Sequence, residues 1–171
     1  MCASTCLCVL FIISCAKLTP IKSVEEPSLG KVYKKIIIQK FEVDQDLEKD
    51  LPDATVICES TAMNELLKIN VVPKIEKARL STSREATALI VKTRITTLRL
   101  ASNSPRGLSG TFVGNSEMAA NVKLIDAEKR KTLHEKNIST VASSDINSDS
   151  SMPHELGKMI AEYIVKAIQS N

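Results

Sequence analysis

Aromatic side chains are nearly missing from this chain: it has no tryptophan, two tyrosines and three phenylalanines in 171 residues. A protein that binds single-stranded nucleic acid needs aromatic faces on which bases stack, and it usually adds a basic stripe. Here 23 basic and 20 acidic side chains are interleaved, for a formal charge of +3. No strong field of one sign results, and the composition argues against a nucleic-acid partner. Only two histidines are present, and four of the five cysteines lie within the first fifteen positions, so neither a zinc site nor a disulfide framework can be assembled from the rest.

Charge is also absent from Met1 to Ser14, where Cys6 to Ile13 is apolar throughout. As a helix these fourteen residues would extend about 21 Å, short of the roughly 30 Å hydrocarbon core of a bilayer. The segment cannot span a membrane. A short apolar run closed by small residues is the pattern of a secretory signal peptide, expected over residues 1–14. Its ending, Ile12-Ile13-Ser14-Cys15, resembles a bacterial lipobox, which implies that Cys15 is the lipid attachment site and the first residue of the mature chain. Two or more acyl chains hold a protein stably at a bilayer, whereas one does so only marginally. The positively charged n-region of such leaders is missing, an expectation that the natural start lies upstream of Met1. Residues 15–31 then read as the lipidated cysteine and a flexible tether, with two prolines, Glu25, Glu26, Ser28 and Gly30 among them. Cys58 would have no partner within the chain.

Residues 32–170 read as a single α+β domain, for which 171 residues provide enough core. Val32 to Val43 is β-rich, and its three isoleucines indicate a strand buried on both faces. An acidic loop follows to Asp53, a candidate N-cap for a helix running to about Asn70. On that helix Val56, Met63 and Leu67 form one stripe, flanked by Cys58, Ala62, Leu66 and Ile69. Glu59 falls inside this apolar face without an evident reason. Asn70 to Ile75 reads as a short edge strand, because Pro73 cannot donate to a central ladder, and a charged stretch from Glu76 to Glu85 follows. Ala86–Ala101, Gly114–Asp126 and Lys131–Val141 then form an antiparallel meander, the middle one carrying the clearest alternation of apolar and polar residues. After the polar segment around Ser143–Met152, Pro153 opens a closing helix whose apolar face runs through Leu156, Met159, Ile160, Tyr163, Ile164, Ala167 and Ile168. The order β-α-β-β-β-β-α predicts a two-layer sandwich: a mixed, mostly antiparallel sheet of four to five strands with two helices on one face.

No catalytic constellation emerges, and the expectation is a non-enzymatic protein with no cofactor and no metal. His154-Glu155 resembles half of a zinc-protease helix, but Lys158 stands where the second histidine is required. His134 lies on a strand with Thr132 and Lys136 and is expected to face water. Gly107, Gly110 and Gly114 invite a phosphate-loop reading, yet Thr111 and Asn115 follow where that loop needs a lysine; permissive backbone in a long hairpin accounts for them better. Asn137-Ile138-Ser139 is a formal glycosylation sequon, relevant only to a eukaryotic secretory route. Lys129-Arg130-Lys131 reads as a hairpin tip.

The run from Thr96 to Ser139, with Arg106, Gly110 and Gly114 ahead of the strand that ends at Asp126, resembles an uncharacterised family of bacterial envelope lipoproteins, a domain of unknown function with a small α/β fold. Phe41-Glu42-Val43 matches the close of that family's opening strand, and Glu128-Lys129-Arg130 replaces a glycine common in its last turn. The likeness extends over roughly Tyr33 to Ile168. It implies an adapter or accessory subunit in the cell envelope, with a membrane held through the lipid and a protein as partners. Ala16 beside the anchor implies, by resemblance to enteric lipoproteins, the outer membrane facing the periplasm. The uncovered sheet face and the edge near Pro73 are the expected docking surfaces. Two other readings remain: a carrier of a small apolar ligand between sheet and helices, and a cytosolic globular protein with an uncleaved N-terminus.

Overall fold

Ile36 to Ile38 form an interior strand of the sheet, buried on both faces as the opening run predicts. The computed structural model describes residues 29–49, 53–99, 116–142 and 150–170. The signal peptide, Cys15 and the tether as far as Ser28 lie outside the described residues, as do Arg106, Gly107, Gly110 and Gly114. Strand β1, Lys35–Gln39, turns Ile36 and Ile38 into the main core and Ile37 into a small second cluster on the opposite face with Ala88, Ile90 and Ala127. The ladder breaks at Lys40-Phe41 and resumes as the two-residue β2, Glu42–Val43, so the opening run is two strands rather than one. Both pair in parallel with β4, Ala88–Arg99, from Lys35↔Ala88 to Val43↔Ile95.

The acidic stretch expected as loop contains a single helical turn, α1, Gln45–Glu48. Helix α2, Ala54–Ile69, begins and ends where the sequence placed it. Asp53 occupies the N-cap without a side-chain cap bond, and Asn70 closes the helix in left-handed backbone (φ 52°), its N–H donating to the Leu66 carbonyl over 3.0 Å. The face it buries is the flank, not the stripe. Cys58, Ala62 and Leu66 are in the core, whereas Val56 and Leu67 are 64% and 52% exposed. Strand β3, Lys74–Ala78, starts one residue after Pro73 and pairs only with β1, in parallel, as the sheet's edge; it absorbs the start of the charged stretch expected as a connection.

β5, Ser116–Asp126, and β6, Thr132–Ala142, complete the antiparallel meander with β4. Met118, Ala120, Val122 and Leu124 of β5 are buried and alternate with half-buried neighbours, as the period of two requires. The sheet order is β3-β1-β4-β5-β6 with β2 added beside β4, six strands among the described residues. Helix α3, Met152–Gln169, places Leu156, Ile160, Ile164 and Ala167 in the core, with Met159 38% exposed at its margin.

α2 and α3 lie together on one face of the mixed sheet, giving the α+β two-layer sandwich. Between the layers Ile36, Ile38, Leu66, Leu89, Ile95, Met118, Leu124, Leu156, Ile160 and Ile164 are each under 2% exposed. The volume where an apolar ligand would be carried is thus filled by side chains. Where the helices cross, a Cβ built on Gly157 would stand 2.6 Å from the Cys58 carbonyl oxygen and 2.8 Å from Thr61 Cβ, so only glycine permits this approach.

Candidate functional site

The sheet face that the helices leave open is tiled with charge. In β4, residues that alternate with the core-facing Leu89, Val91 and Ile95 carry Lys92, Arg94 and Thr96 outward, and β5 adds Asn121 and Lys123 beside them. Register sets the rows. Glu42, Arg94, Asn121 and Asn137 follow one another across β2, β4, β5 and β6, and Lys92, Lys123 and Glu135 form the row below. Lys92 and Lys123 are direct cross-strand neighbours of like charge, an unfavourable pairing in isolation. Each is met by a carboxylate: Lys92 Nζ lies 3.0 Å from Glu42 and Lys123 Nζ 3.2 Å from Glu135.

Asn121 Nδ2 donates to Glu135 at 3.0 Å and to Asn137 Oδ1 at 2.8 Å, and Arg94 donates to Asp44 at 2.6 Å. These contacts hold the Glu135 carboxyl below the ordinary range, through Asn121 first and Lys123 next, and push Arg94 up through Asp44. Together Glu42, Asp44, Lys92, Arg94, Thr96, Asn121, Lys123 and Asn137 line a basin of about 450 Å³. Counting Glu135, which pairs with Lys123 at its rim, three cations meet three anions, and the lining has no nucleophile beside a base. Chemically it presents polar groups of both signs.

The near half of this open face is crossed by the connection from β3 to β4. That connection must return from the end of β3 to the start of β4, because the two strands point the same way. Arg130 holds it down by donating to the Ser81 carbonyl at 2.8 Å. The docking face expected from sequence is thus the far half alone.

Two buried carboxylates tie elements together. Glu59 of α2, 6% exposed, accepts from the Phe41 N–H at 2.7 Å and pairs with Lys77 of β3. It satisfies the donor left without a strand partner where β1 breaks from β2, which explains an acidic residue inside an apolar face. Asp126, 2% exposed, accepts from Lys31 Nζ and Tyr33 Oη at 3.0 Å each and from the Lys129 N–H at 2.8 Å. Burial pushes its carboxyl up, but these three donors more than offset it and hold the pKa at about 2. Leu29, buried, and Lys31 thereby belong to the domain, although the sequence reading assigned both to the tether.

The other sequence candidates are dispersed. His134 pairs with Leu124 and Lys136 with Val122, so both lie on the helix-covered side, His134 half-buried rather than out in water. Lys136 Nζ stands 5.3 Å from the Tyr163 ring. His154 Nδ1 shares a 3.0 Å hydrogen bond with Thr61 Oγ1 and so links the start of α3 to α2. Cys58 is fully buried, and burial followed by the neighbouring Glu59 pushes its thiol up to about 12, which leaves it unreactive. Asn137 is an exposed residue of β6 and a member of the basin. Among the described residues no three His, Cys, Asp or Glu side chains come together as metal ligands, and no helix is long and apolar enough to cross a membrane.

Known structures share this architecture at low identity. A point variant of the PelC dodecamer from Paraburkholderia phytofirmans superposes with a TM-score of 0.57 at 16% identity, covering 83% of this chain and 94% of that one. The hypothetical protein CT253 from Chlamydia trachomatis gives 0.53 at 10% identity over 80% and 99%. Protein XCC0632 from Xanthomonas campestris, of family DUF330, gives 0.52 at 11% identity over 86% and 89%. These likenesses establish the fold. Among curated proteins none matches the sequence. The profile of a domain of unknown function, DUF4410, matches residues 13–142, from two positions before Cys15 to the end of β6. The chain belongs to the DUF4410 family.

Proposed function

We propose that this protein is a non-enzymatic, lipid-anchored accessory subunit of a bacterial envelope, held to the membrane through Cys15. One observation carries this reading: an uncharged apolar run ends in Ser14-Cys15 fourteen positions before Leu29, the first residue packed into the domain. The family match reaches back over this cysteine, which makes the Cys15 region part of the shared unit. The open face supports recognition rather than chemistry, since its side chains form a charge-balanced set without an activated nucleophile. An adapter role further draws on the fold shared with a protein described as a dodecamer. The far half of the open face and the outer edge of β3 are the surfaces that such a role leaves for a protein partner.

The test is an intact-mass and N-terminal peptide analysis of the protein expressed in a bacterial host, beside a Cys15→Ala control. A diacylglyceryl adduct on Cys15, lost in the control together with membrane association, is the expected result. An unmodified chain still beginning at Met1 would overturn the anchor and with it the envelope placement.

A further inference from the structure

The two ends of the sheet differ in what they expose. β1, β3, β4 and β6 begin at one end and β5 finishes there, since Lys35 pairs with Lys74 and Ala88, Leu89 with Asp126, and Ile125 with Thr132. The chain enters the domain at this same end: Leu29 is buried, Lys31 is bound to Asp126, and the Lys34 N–H donates to the Thr87 carbonyl at 2.9 Å.

Five exposed cations gather around this entry: Lys34, Arg84, Lys129, Arg130 and Lys131. The carboxylates of the same end are already engaged, Asp126 and Glu128 by Lys31 and Glu85 by Lys35. Among the described residues none of the five forms an ion pair; Arg130 donates to a backbone carbonyl and keeps its charge unneutralised. The whole chain carries only +3, against which five cations without an ion pair at one end are a marked local excess. The turn itself has an unexpected residue for a simple reversal. Arg130 lies in left-handed backbone (φ 56°), which glycine adopts without strain and an arginine does not. Beside these side chains Val32 is 72% exposed, an apolar group at the same surface.

We infer that this end of the domain is an electrostatic foot that docks on an anionic phospholipid surface, with Lys34, Arg84 and Lys129 to Lys131 against the headgroup phosphates. The inference rests on the anchor reading for its geometry. Leu29 lies fourteen positions after Cys15, a stretch that can extend at most about 50 Å, so the anchor ties the domain to the bilayer through its entry end. Attraction to an anionic surface decays within a Debye length of about 8–10 Å; cations elsewhere on a tethered domain would contribute little. Each lysine or arginine close to such a surface strengthens binding roughly fivefold, and clusters of about four to eight are the usual size of a lipid-binding patch.

The experiment measures sedimentation of the full chain with two kinds of vesicle, phosphatidylcholine alone and phosphatidylcholine mixed with phosphatidylglycerol. Acyl chains on Cys15 would bind both alike, whereas the foot adds affinity only for the second. The expected result is a preference for the anionic vesicles of at least about tenfold that disappears at high salt. The triple substitution Lys129→Glu, Arg130→Glu, Lys131→Glu is expected to abolish that preference. A second variant, Lys129→Gln, Arg130→Gly, Lys131→Gln, suits the left-handed position, keeps Lys34 and Arg84, and should lower the preference strongly without abolishing it, with an unchanged thermal midpoint. Equal binding to both vesicles, or a preference that survives both variants, overturns the foot. An anionic preference in a chain whose Cys15 is unmodified supports the foot while removing the anchor, and a lipidated chain without the preference does the reverse.

Discussion

Glu59 and Asp126 show what a buried carboxylate does when its partners come from other elements. Removing the Glu59 carboxylate strands the Phe41 N–H in a buried site and leaves Lys77 without its anion. Glu59→Ala should therefore cost about 2–3 kcal/mol in urea unfolding; a loss below 1 would mean that the break after β1 finds another acceptor. Asp126 gives a pH signature. Its folded pKa of about 2 lies below the ordinary 3.8, so its contribution is complete above about pH 4 and is lost as pH falls through 2. The shift corresponds to on the order of 2 kcal/mol. Between pH 4 and 2 the native chain should lose about that much more stability than Asp126→Asn, and parallel pH curves for the two would sink the assignment. Neither role was readable from sequence. Glu59 stood out as an anomaly in an apolar face, but its partners lie 18 positions before and 18 after it on separate elements, and periodicity carries no information about them.

The helix pair teaches the corresponding lesson for elements. Both helices were legible to within a residue or two, from Asp53 and Asn70 at the ends of α2 and from Pro153 at the start of α3. The expected apolar face of α2 was too wide: Cys58, Ala62 and Leu66 are buried and Met63 packs at the margin, but Val56, Leu67 and Ile69 are left exposed, because a close crossing selects small residues. Cys58, Thr61 and Ala62 meet α3 at Gly157, and Val56 and Leu67 are left outward. Gly157→Ala tests this directly. Alanine gains up to about 1 kcal/mol in helix propensity, but its Cβ meets backbone atoms of α2, and overpacking of that kind costs about 1–3 kcal/mol. The net expectation is a lower denaturant midpoint by about 1–2 kcal/mol; an unchanged or raised midpoint would show that the helices can part without loss.

For the whole molecule, the order of strands and helices and the two-layer plan were written in the alternation of β5 and the unbroken apolar face of α3. The neighbours in the sheet were not. Nothing in the local pattern of Ile36 to Ile38 says that β1 sits between β3 and β4, because a strand buried on both faces looks the same wherever it is inserted. The candidate surfaces were half legible: the open face was expected, but its charge rows depend on cross-strand register, and the basic entry end depends on Asp126 drawing Lys31 back to the β5–β6 turn. The insertion of β1 has a further consequence for how the chain folds. Its ladder partners, Lys74–Ala78 and Ala88–Val91, begin 35 and 49 positions after Gln39, so β1 leaves the ribosome well before either neighbour. Closing such distant parallel pairs is slow, and an unpaired isoleucine-rich strand is prone to aggregate meanwhile. Folding of this domain is therefore gated by the arrival of β4, and a chaperone that shields Ile36 to Ile38 until then would act at the point of greatest risk.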